Sequence, residues 1–333
     1  MFIQLIHVPG DCFSPWVERV VTLHVYRDDA TCLGAGTDGL RVRGNKARKL
    51  HTLWTQRDWV EAYRGGGIVS HGGAQSNAML ALAVMAGALQ VPFEYIAAGA
   101  PRWLRASPNG NYRRAVQLGV RFRHVSRGVA YREAVQGARR DGDARRRLYI
   151  PQGCASPLAA SGLQQLALAL ENAASDRYQA VCVPAGTGTT AFYLRQYLSD
   201  RWQVLTVPCV GDAAHLDEQM RSLAQAHRSS ETQPARWPTV LPPPEPRLPF
   251  AALDERDWRL WQCLPPFFDL VYAPRTLRAL VHHFQADAAA LARVLYVATG
   301  GTEGNETQRR RYMRRGYPMG WKTDVAPEGI PAC

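Results

Sequence analysis

Lysine is almost missing from this chain of 333 residues: Lys46, Lys49 and Lys322 are the only three, and arginine supplies the rest of the 40 basic residues. Arginine does the routine work of positive charge here, so a lysine that persists is a candidate for a task that guanidinium cannot perform. An ε-amine can shed its proton and attack a carbonyl, whereas guanidinium stays protonated and forms no imine. Long apolar runs are also missing. No stretch of about 18 apolar residues occurs, so no membrane-spanning helix is expected. Residues 1–7 have no basic region ahead of their apolar side chains, so no secretory leader is expected.

Other absences narrow the field further. The seven cysteines are scattered, odd in number and form no CxxC pair. That argues against a disulfide framework and a zinc site, leaves no metal expected, and fits the cytoplasm. The P-loop pattern GxxxxGK[ST] does not occur. The net charge is +12, and arginines concentrate in 102–147 and 309–315. No nucleic-acid motif and no alternation of aromatic and basic residues accompanies them. A solvated basic face, or an anionic substrate or cofactor, accounts for the charge, and no nucleic-acid partner is expected.

What is present is a regular alternation of apolar runs and helical periodicity. Strands are predicted over 20–26, 67–70, 91–97, 120–125, 148–151, 180–184, 204–210 and 294–297. Helices are predicted over 46–63, 76–89, 112–118, 157–173 and from 190 to about 197. The 76–89 helix is apolar nearly all round and is expected to be buried. Such alternation implies an α/β fold with mostly parallel sheets and helices on both faces. Ligands of such folds bind beyond the carboxyl ends of the strands. Gly72-Gly73, the 186–188 turn and Gly300-Gly301 all follow predicted strands, which puts them on that rim. Residues 234–249 hold seven prolines and read as an irregular connector or surface loop. The arginine-rich stretch after about Asn305 reads as a surface helix or a loose tail.

Three segments carry chemistry. Gly186-Thr187-Gly188-Thr189-Thr190 joins a strand to a helix. Its glycines let backbone N–H groups approach an anion, and the helix start adds its dipole. A tight turn with a threonine cap is the plainer reading. His71-Gly72-Gly73-Ala74-Gln75-Ser76-Asn77 is a second strand–turn–helix junction. It presents a hydroxyl and an amide, or in the plainer reading only a Ser76 helix cap. Lys46 and Lys49 lie one helical turn apart, so one can form an imine while the other balances a phosphate. An aldehyde held as an imine, a phosphate and an aromatic ring together describe pyridoxal 5′-phosphate.

These residues resemble a known family. Arg27-Asp28-Asp29, Gly44-Asn45-Lys46-Ala47-Arg48-Lys49-Leu50, Gly73-Ala74-Gln75-Ser76-Asn77, Ile150-Pro151-Gln152-Gly153, the Gly-Thr loop and Thr299-Gly300-Gly301 occur in the order seen in the 1-aminocyclopropane-1-carboxylate (ACC) deaminase and D-cysteine desulfhydrase family. That family belongs to the tryptophan-synthase-β-like, fold type II enzymes of pyridoxal phosphate. The resemblance spans about residues 20–305. It implies two doubly wound α/β domains with open, mostly parallel sheets and the cofactor in the cleft between them. The large domain would comprise 1–60 and 152–333, and the small inserted domain 61–151.

The resemblance also implies roles. Lys46 would hold the cofactor as an imine and move the substrate proton. Lys49 and Gly186, Thr187, Gly188, Thr189 and Thr190 would hold the phosphate, Asn77 would bond the ring oxygen, and Thr299 would line the cofactor. Ser76 would meet the substrate, either at its carboxylate or as a local acid or base, and Tyr272 would stand near ring and substrate. A small amino-acid substrate, release of a 2-oxo acid and ammonia, and a homodimer or higher homo-oligomer are expected. Three departures bear on the chemistry and weigh against ACC ring opening. Ala78-Met79-Leu80 follow Asn77 where the family often has a polar residue and an arginine, and a second family tyrosine ahead of Tyr272 has no match in the proline-rich stretch. The position after Tyr272 commonly carries Glu or Thr to meet the pyridine nitrogen, and here it is Ala273.

Overall fold

Each predicted strand from residue 20 onward forms close to its expected place, and the parallel pairing follows from how the apolar runs are covered. The computed structural model describes residues 3–13, 17, 19–34, 41–142, 146–173, 176–227 and 236–318. Lys322 and the start of the proline-rich stretch, 234–235, lie outside the described residues. The chain divides into two compact units, Met1–Thr31 with Leu163–Cys333, and Cys32–Gly162.

The discontinuous unit is built on one sheet. Its strands are β1 (Ile3–Val8), β2 (Val21–Tyr26), β9 (Ala180–Ala185), β10 (Gln203–Pro208), β11 (Thr239–Val240) and β12 (Val294–Val297), in the order β1-β2-β12-β9-β10-β11. All pairings are parallel except that of β1 with β2. Every residue of β12 is buried, as is expected of a parallel strand covered on both faces. The helices of this part of the chain are α7 (Ala160–Ala173), α8 (Thr189–Tyr197), α9 (Ala213–His227), α10 (Glu255–Cys263), α11 (Ala273–His283), α12 (Ala288–Leu291) and α13 (Asn305–Arg314). One face of the sheet packs Val25, Leu205 and Tyr296 against Leu277 and Leu280 of α11.

The Cys32–Gly162 unit holds an all-parallel sheet of β5 (Ile68–Gly72), β6 (Phe93–Ala98), β7 (Arg121–Val125) and β8 (Leu148–Ile150), in the order β7-β6-β5-β8. A short antiparallel pair, β3 (Cys32–Leu33) and β4 (Val42–Arg43), precedes it. Its helices are α1 (Gly44–Thr55), α2 (Asp58–Tyr63), α3 (Asn77–Leu89), α4 (Arg102–Ala106), α5 (Gly110–Gln117) and α6 (Val129–Arg140). Residues 78–86 of α3 are buried without interruption, as its all-round apolarity predicts.

Several expectations are corrected. The helix expected over 46–63 is two, because Gln56 turns extended and the Thr55 hydroxyl bonds the His51 carbonyl at 2.9 Å, competing with the helical ladder. The small unit begins well before residue 61. Leu50 and Leu53 of α1 share a core with Ile68, Met79 and Leu82, so the lysine-bearing helix belongs to this unit and not to the larger one. The proline-rich stretch is not wholly irregular, since β11 extends the sheet at β10 and Leu241 is buried. Of the two readings of the arginine-rich end, the surface helix forms: it is α13, anchored by buried Tyr312, whose ring stacks on Trp258 with centroids 4.7 Å apart. β1, β3, β4, α4, α6, α9, α10, α11 and α12 carry no clear sequence signal. Cys32 is disulfide-bonded, against the expectation of unpaired thiols, while Cys12, Cys154, Cys182, Cys209 and Cys263 are free. Among the described residues no helix is long and apolar enough to cross a membrane.

The start of α7 touches α1 more closely than a side chain allows. A Cβ on Gly162 would fall 1.9 Å from the Arg48 carbonyl oxygen and 2.9 Å from the Cβ of His51. Gly162→Ala is therefore expected to destabilise the protein by about 2 kcal/mol or more, because backbone must move. Gly65→Ala, where nothing lies within 4 Å, should stay within about 0.5 kcal/mol. Equal denaturation midpoints for the two variants would contradict this packing.

Candidate functional site

In the Cys32–Gly162 unit, α1 and the loops that follow β5 and β8 bring four of the expected site residues to one rim. Lys46, on the first turn of α1, donates from Nζ to Asn45 Oδ1 at 2.8 Å. Lys49 is one turn further on, only 5% exposed, and donates to the Gly153 carbonyl at 3.2 Å. Burial pushes the Lys49 amine down to about 7, and the charge of Lys46 adds to the effect. The same two lysines work against the burial that raises the Cys154 thiol. Lys49 is thus poised between its charged and neutral forms at neutral pH, so the position favours a base that can titrate over one that cannot.

Ser76 caps α3, its hydroxyl accepting the Met79 N–H at 3.3 Å, so the plainer reading of this residue holds geometrically. The hydroxyl is also hydrogen-bonded to Tyr95, whose own OH donates to the Gly73 carbonyl at 3.2 Å. Asn77 opens the helix beside it, and its Oδ1 accepts from Asn111 Nδ2 at 2.7 Å. Gln75 ties the same turn to the start of α5. Its Nε2 donates to the Asn109 carbonyl at 3.1 Å, and its Oε1 accepts the Tyr112 N–H at 3.3 Å. At the end of β5, His71 Nε2 accepts the Gln152 N–H at 3.2 Å. The ring proton must then sit on Nδ1 and face Tyr131 Oη at 2.8 Å. Burial holds His71 neutral, at about 4.

In the other unit the remaining residues gather at the carboxyl ends of β9 and β12. Gly188 is the left-handed N-cap of α8, with φ +70°, and a Cβ there would meet Met220 Cγ at 2.6 Å and Leu216 at 2.8 Å. Only glycine meets both conditions. Thr189 and Thr190 are buried in the first turn, and the hydroxyls of Thr187 and Thr189 lie 2.8 Å apart. First-turn N–H groups have no intrahelical acceptor, so the turn is ready to receive an anion. A Cβ on Gly186 would lie 3.6 Å from the Tyr272 ring and 3.7 Å from its hydroxyl, so this tyrosine stands directly against the loop.

Tyr272 immediately precedes α11, where Asp269 Oδ1 accepts both the Val271 and Tyr272 N–H groups. Burial raises its phenol, with Cys209 and Asp269 adding to the shift, so the OH keeps its proton at neutral pH. Thr299 is buried. The register Tyr296↔Cys182 puts it level with Ala185, beside the Gly-Thr loop. Ala273 is buried at the first position of α11 and offers neither carboxylate nor hydroxyl. Sequence reasoning missed one residue in each unit, Asn111 in Cys32–Gly162 and Phe250 in the other. Asn111 had no motif to reveal it. Phe250, 47% exposed at the end of the proline-rich stretch, has its ring 5.6 Å from that of Tyr272. Among the described residues no cluster of three or more His, Cys, Asp or Glu side chains could hold a metal ion.

No family model matches the chain, and no curated protein matches it by sequence. Solved structures do match. An ACC deaminase homologue superposes with a TM-score of 0.67 at 16% identity, covering 94% of this chain and 94% of its own. The serine racemase of Dictyostelium discoideum gives 0.56 at 14% identity, over 90% of this chain and 92% of its own. Threonine deaminase isoform 2 of Solanum lycopersicum gives 0.58 at 12% identity, over 96% and 84%. The chain therefore has the fold type II architecture of the pyridoxal phosphate enzymes, as the sequence resemblance implied.

The buried Lys49 has a signature in stability. Its pKa is about 7 when folded and about 10.4 when unfolded. Between those values the unfolded chain binds the extra proton, so stability rises with pH across this window and the burial penalty is greatest below it. The stability difference between the parent protein and Lys49→Met should therefore grow in the parent's favour by about 1.4 kcal/mol per pH unit from pH 7 to 10. Parallel stability curves in urea titrations of the two proteins would refute it.

Proposed function

We propose that this chain is a pyridoxal 5′-phosphate-dependent lyase or deaminase that acts on a small amino acid, ACC-like or D-cysteine-like, and releases a 2-oxo acid and ammonia. The observation that carries the reading is the lysine pair of α1. Lys46 presents an amine on the first turn, and Lys49 is held buried one turn away, in a chain whose other basic residues are all arginine except Lys322.

The residues fit the cofactor. The turn formed by Gly186, Thr187, Gly188, Thr189 and Thr190 supplies first-turn N–H groups and two adjacent hydroxyls for a phosphate. Lys49, poised near neutrality, takes a proton when an anion arrives. The bound cofactor supplies an electron sink for a carbanion at the substrate Cα. Every other part falls to the chain. Lys46 would hold the cofactor by its aldehyde and would carry the proton from Cα. Asn77 donates its amide to the ring oxygen, and Thr299 lines the ring's edge. Ser76, whose hydroxyl is already oriented by Met79 and Tyr95, meets the substrate carboxylate. Tyr272 keeps its phenol proton and so acts as a donor at the substrate. A homodimer or higher homo-oligomer and a cytoplasmic location complete this reading.

Ala273 favours a second reading. With no acid or hydroxyl at the start of α11, the ring nitrogen lacks a partner to hold its proton and the electron sink is weaker. Dehydratase, β-elimination or racemase chemistry on the same scaffold, or binding with little turnover, then replaces ring opening. The similar structures of a serine racemase and a threonine deaminase support this breadth.

Purified protein given pyridoxal phosphate is expected to be yellow. Its imine absorbance should vanish in Lys46→Ala and persist in Lys322→Ala. Equal absorbance in the parent and Lys46→Ala would overturn the reading. A 2-oxo-acid release screen over ACC and D- and L-amino acids then distinguishes the reactions. Silence across that panel with cofactor bound would favour binding with little turnover.

A further inference from the structure

Asn77 has been assigned to the cofactor's ring oxygen, and an amide can serve there only if its nitrogen, not its oxygen, faces the ring. An asparagine side chain has two nearly isosteric orientations, so a neighbouring group must choose between them. The choice is made in two steps. Asn111, completely buried in the first turn of α5, donates from Nδ2 both to the Gln75 carbonyl at 3.2 Å and to Asn77 Oδ1 at 2.7 Å. The Gln75 carbonyl can only accept, so it fixes which end of Asn111 is the nitrogen. Turning Asn111 over would set oxygen against oxygen at both contacts. With Nδ2 of Asn111 fixed, Asn77 must present its oxygen inward, and its NH2 is the group left to face away from Asn111.

The other end of Asn111 shows that packing alone does not explain it. Its Oδ1 is buried and has no hydrogen-bond partner. A buried acceptor left unmatched is a net cost to folding, and an apolar side chain of similar size would avoid it. The residue keeps this cost while its donor end serves one backbone carbonyl and one site side chain. The same turn is held to α5 independently by Gln75, through Asn109 and the Tyr112 N–H, so Asn111 is not needed merely to attach the two elements.

We infer that Asn111 is a positioning residue that sets the amide orientation of Asn77, and through it the hydrogen bond to the ring oxygen of the cofactor. The assignment rests on the proposed function. It differs from a structural role because its effect must pass through Asn77.

The test is a pair of readings on full-length protein titrated with pyridoxal phosphate: the dissociation constant, and the position of the imine absorbance band. Asn111→Leu removes the donor and also the unmatched acceptor. It should weaken cofactor binding by about tenfold, the worth of one such hydrogen bond, and displace the imine band. In an Asn77→Ala background the same substitution should change neither reading, because the group through which it acts is gone. If Asn111→Leu does not fold, Asn111→Asp keeps the shape, loses both donors and should show the same two effects. An unaltered affinity and band in the folded variant, or a further loss on top of Asn77→Ala, overturns the assignment alone. Parent protein that forms no imine band overturns the proposed function and this assignment together.

Discussion

A lysine amine closed off from water is the constraint on which the arrangement of the smaller unit turns. Burying an ammonium is costly unless it is paired or gives up its proton, and Lys49 donates to one backbone carbonyl, that of Gly153, with no carboxylate paired to it among the described residues. The position is kept because α1 cannot move away. Leu50 and Leu53 lock it to α3 on one side, and the first turn of α7 presses on its backbone at Gly162 on the other. Lys46, Asn45 and the loop after β8 take their places from the same helix. A site that holds an amine near its neutral form before any ligand arrives is suited to receive an anion at little further cost.

Parallel pairing does the equivalent work in both sheets. Strands running the same way deliver their following loops to one edge, so His71, Ser76 and Gly153 share a rim in one unit. Gly186, Thr299 and Cys209 share a rim in the other. Tertiary hydrogen bonds then orient what the topology has gathered. Gln75 and Asn111 hold the turn before α3, and Asp269 holds the backbone on which Tyr272 stands. The hydroxyl of Ser76 accepts from Met79 and bonds Tyr95 at once, which ties the cap of α3 to β6.

Much of this was legible beforehand, and the reasons differ by element. The parallel strands read clearly because both their faces are buried, which makes them continuous apolar runs. The 186–190 loop and the turn before α3 read clearly because their glycines and caps answer local backbone demands. The break at Gln56 did not, because it depends on a side-chain hydrogen bond to a carbonyl. β1 was missed because it lies at the sheet edge and four of its six positions are only half-buried or exposed. Asn111 was invisible because its importance lies in a contact with a residue 34 positions away.

The sequence by itself determined the fold class, the order of the parallel strands, and the identity of the lysines, threonines and amides to which the chemistry is assigned. These are properties of local backbone preference and of side-chain type, and both are written residue by residue. Only the tertiary structure decided that α1 belongs to the smaller unit, that Lys49 is buried enough to sit near neutrality, and which way the Asn77 amide faces. Those depend on which surfaces meet, because desolvation and hydrogen-bond direction are set by neighbours distant in the chain.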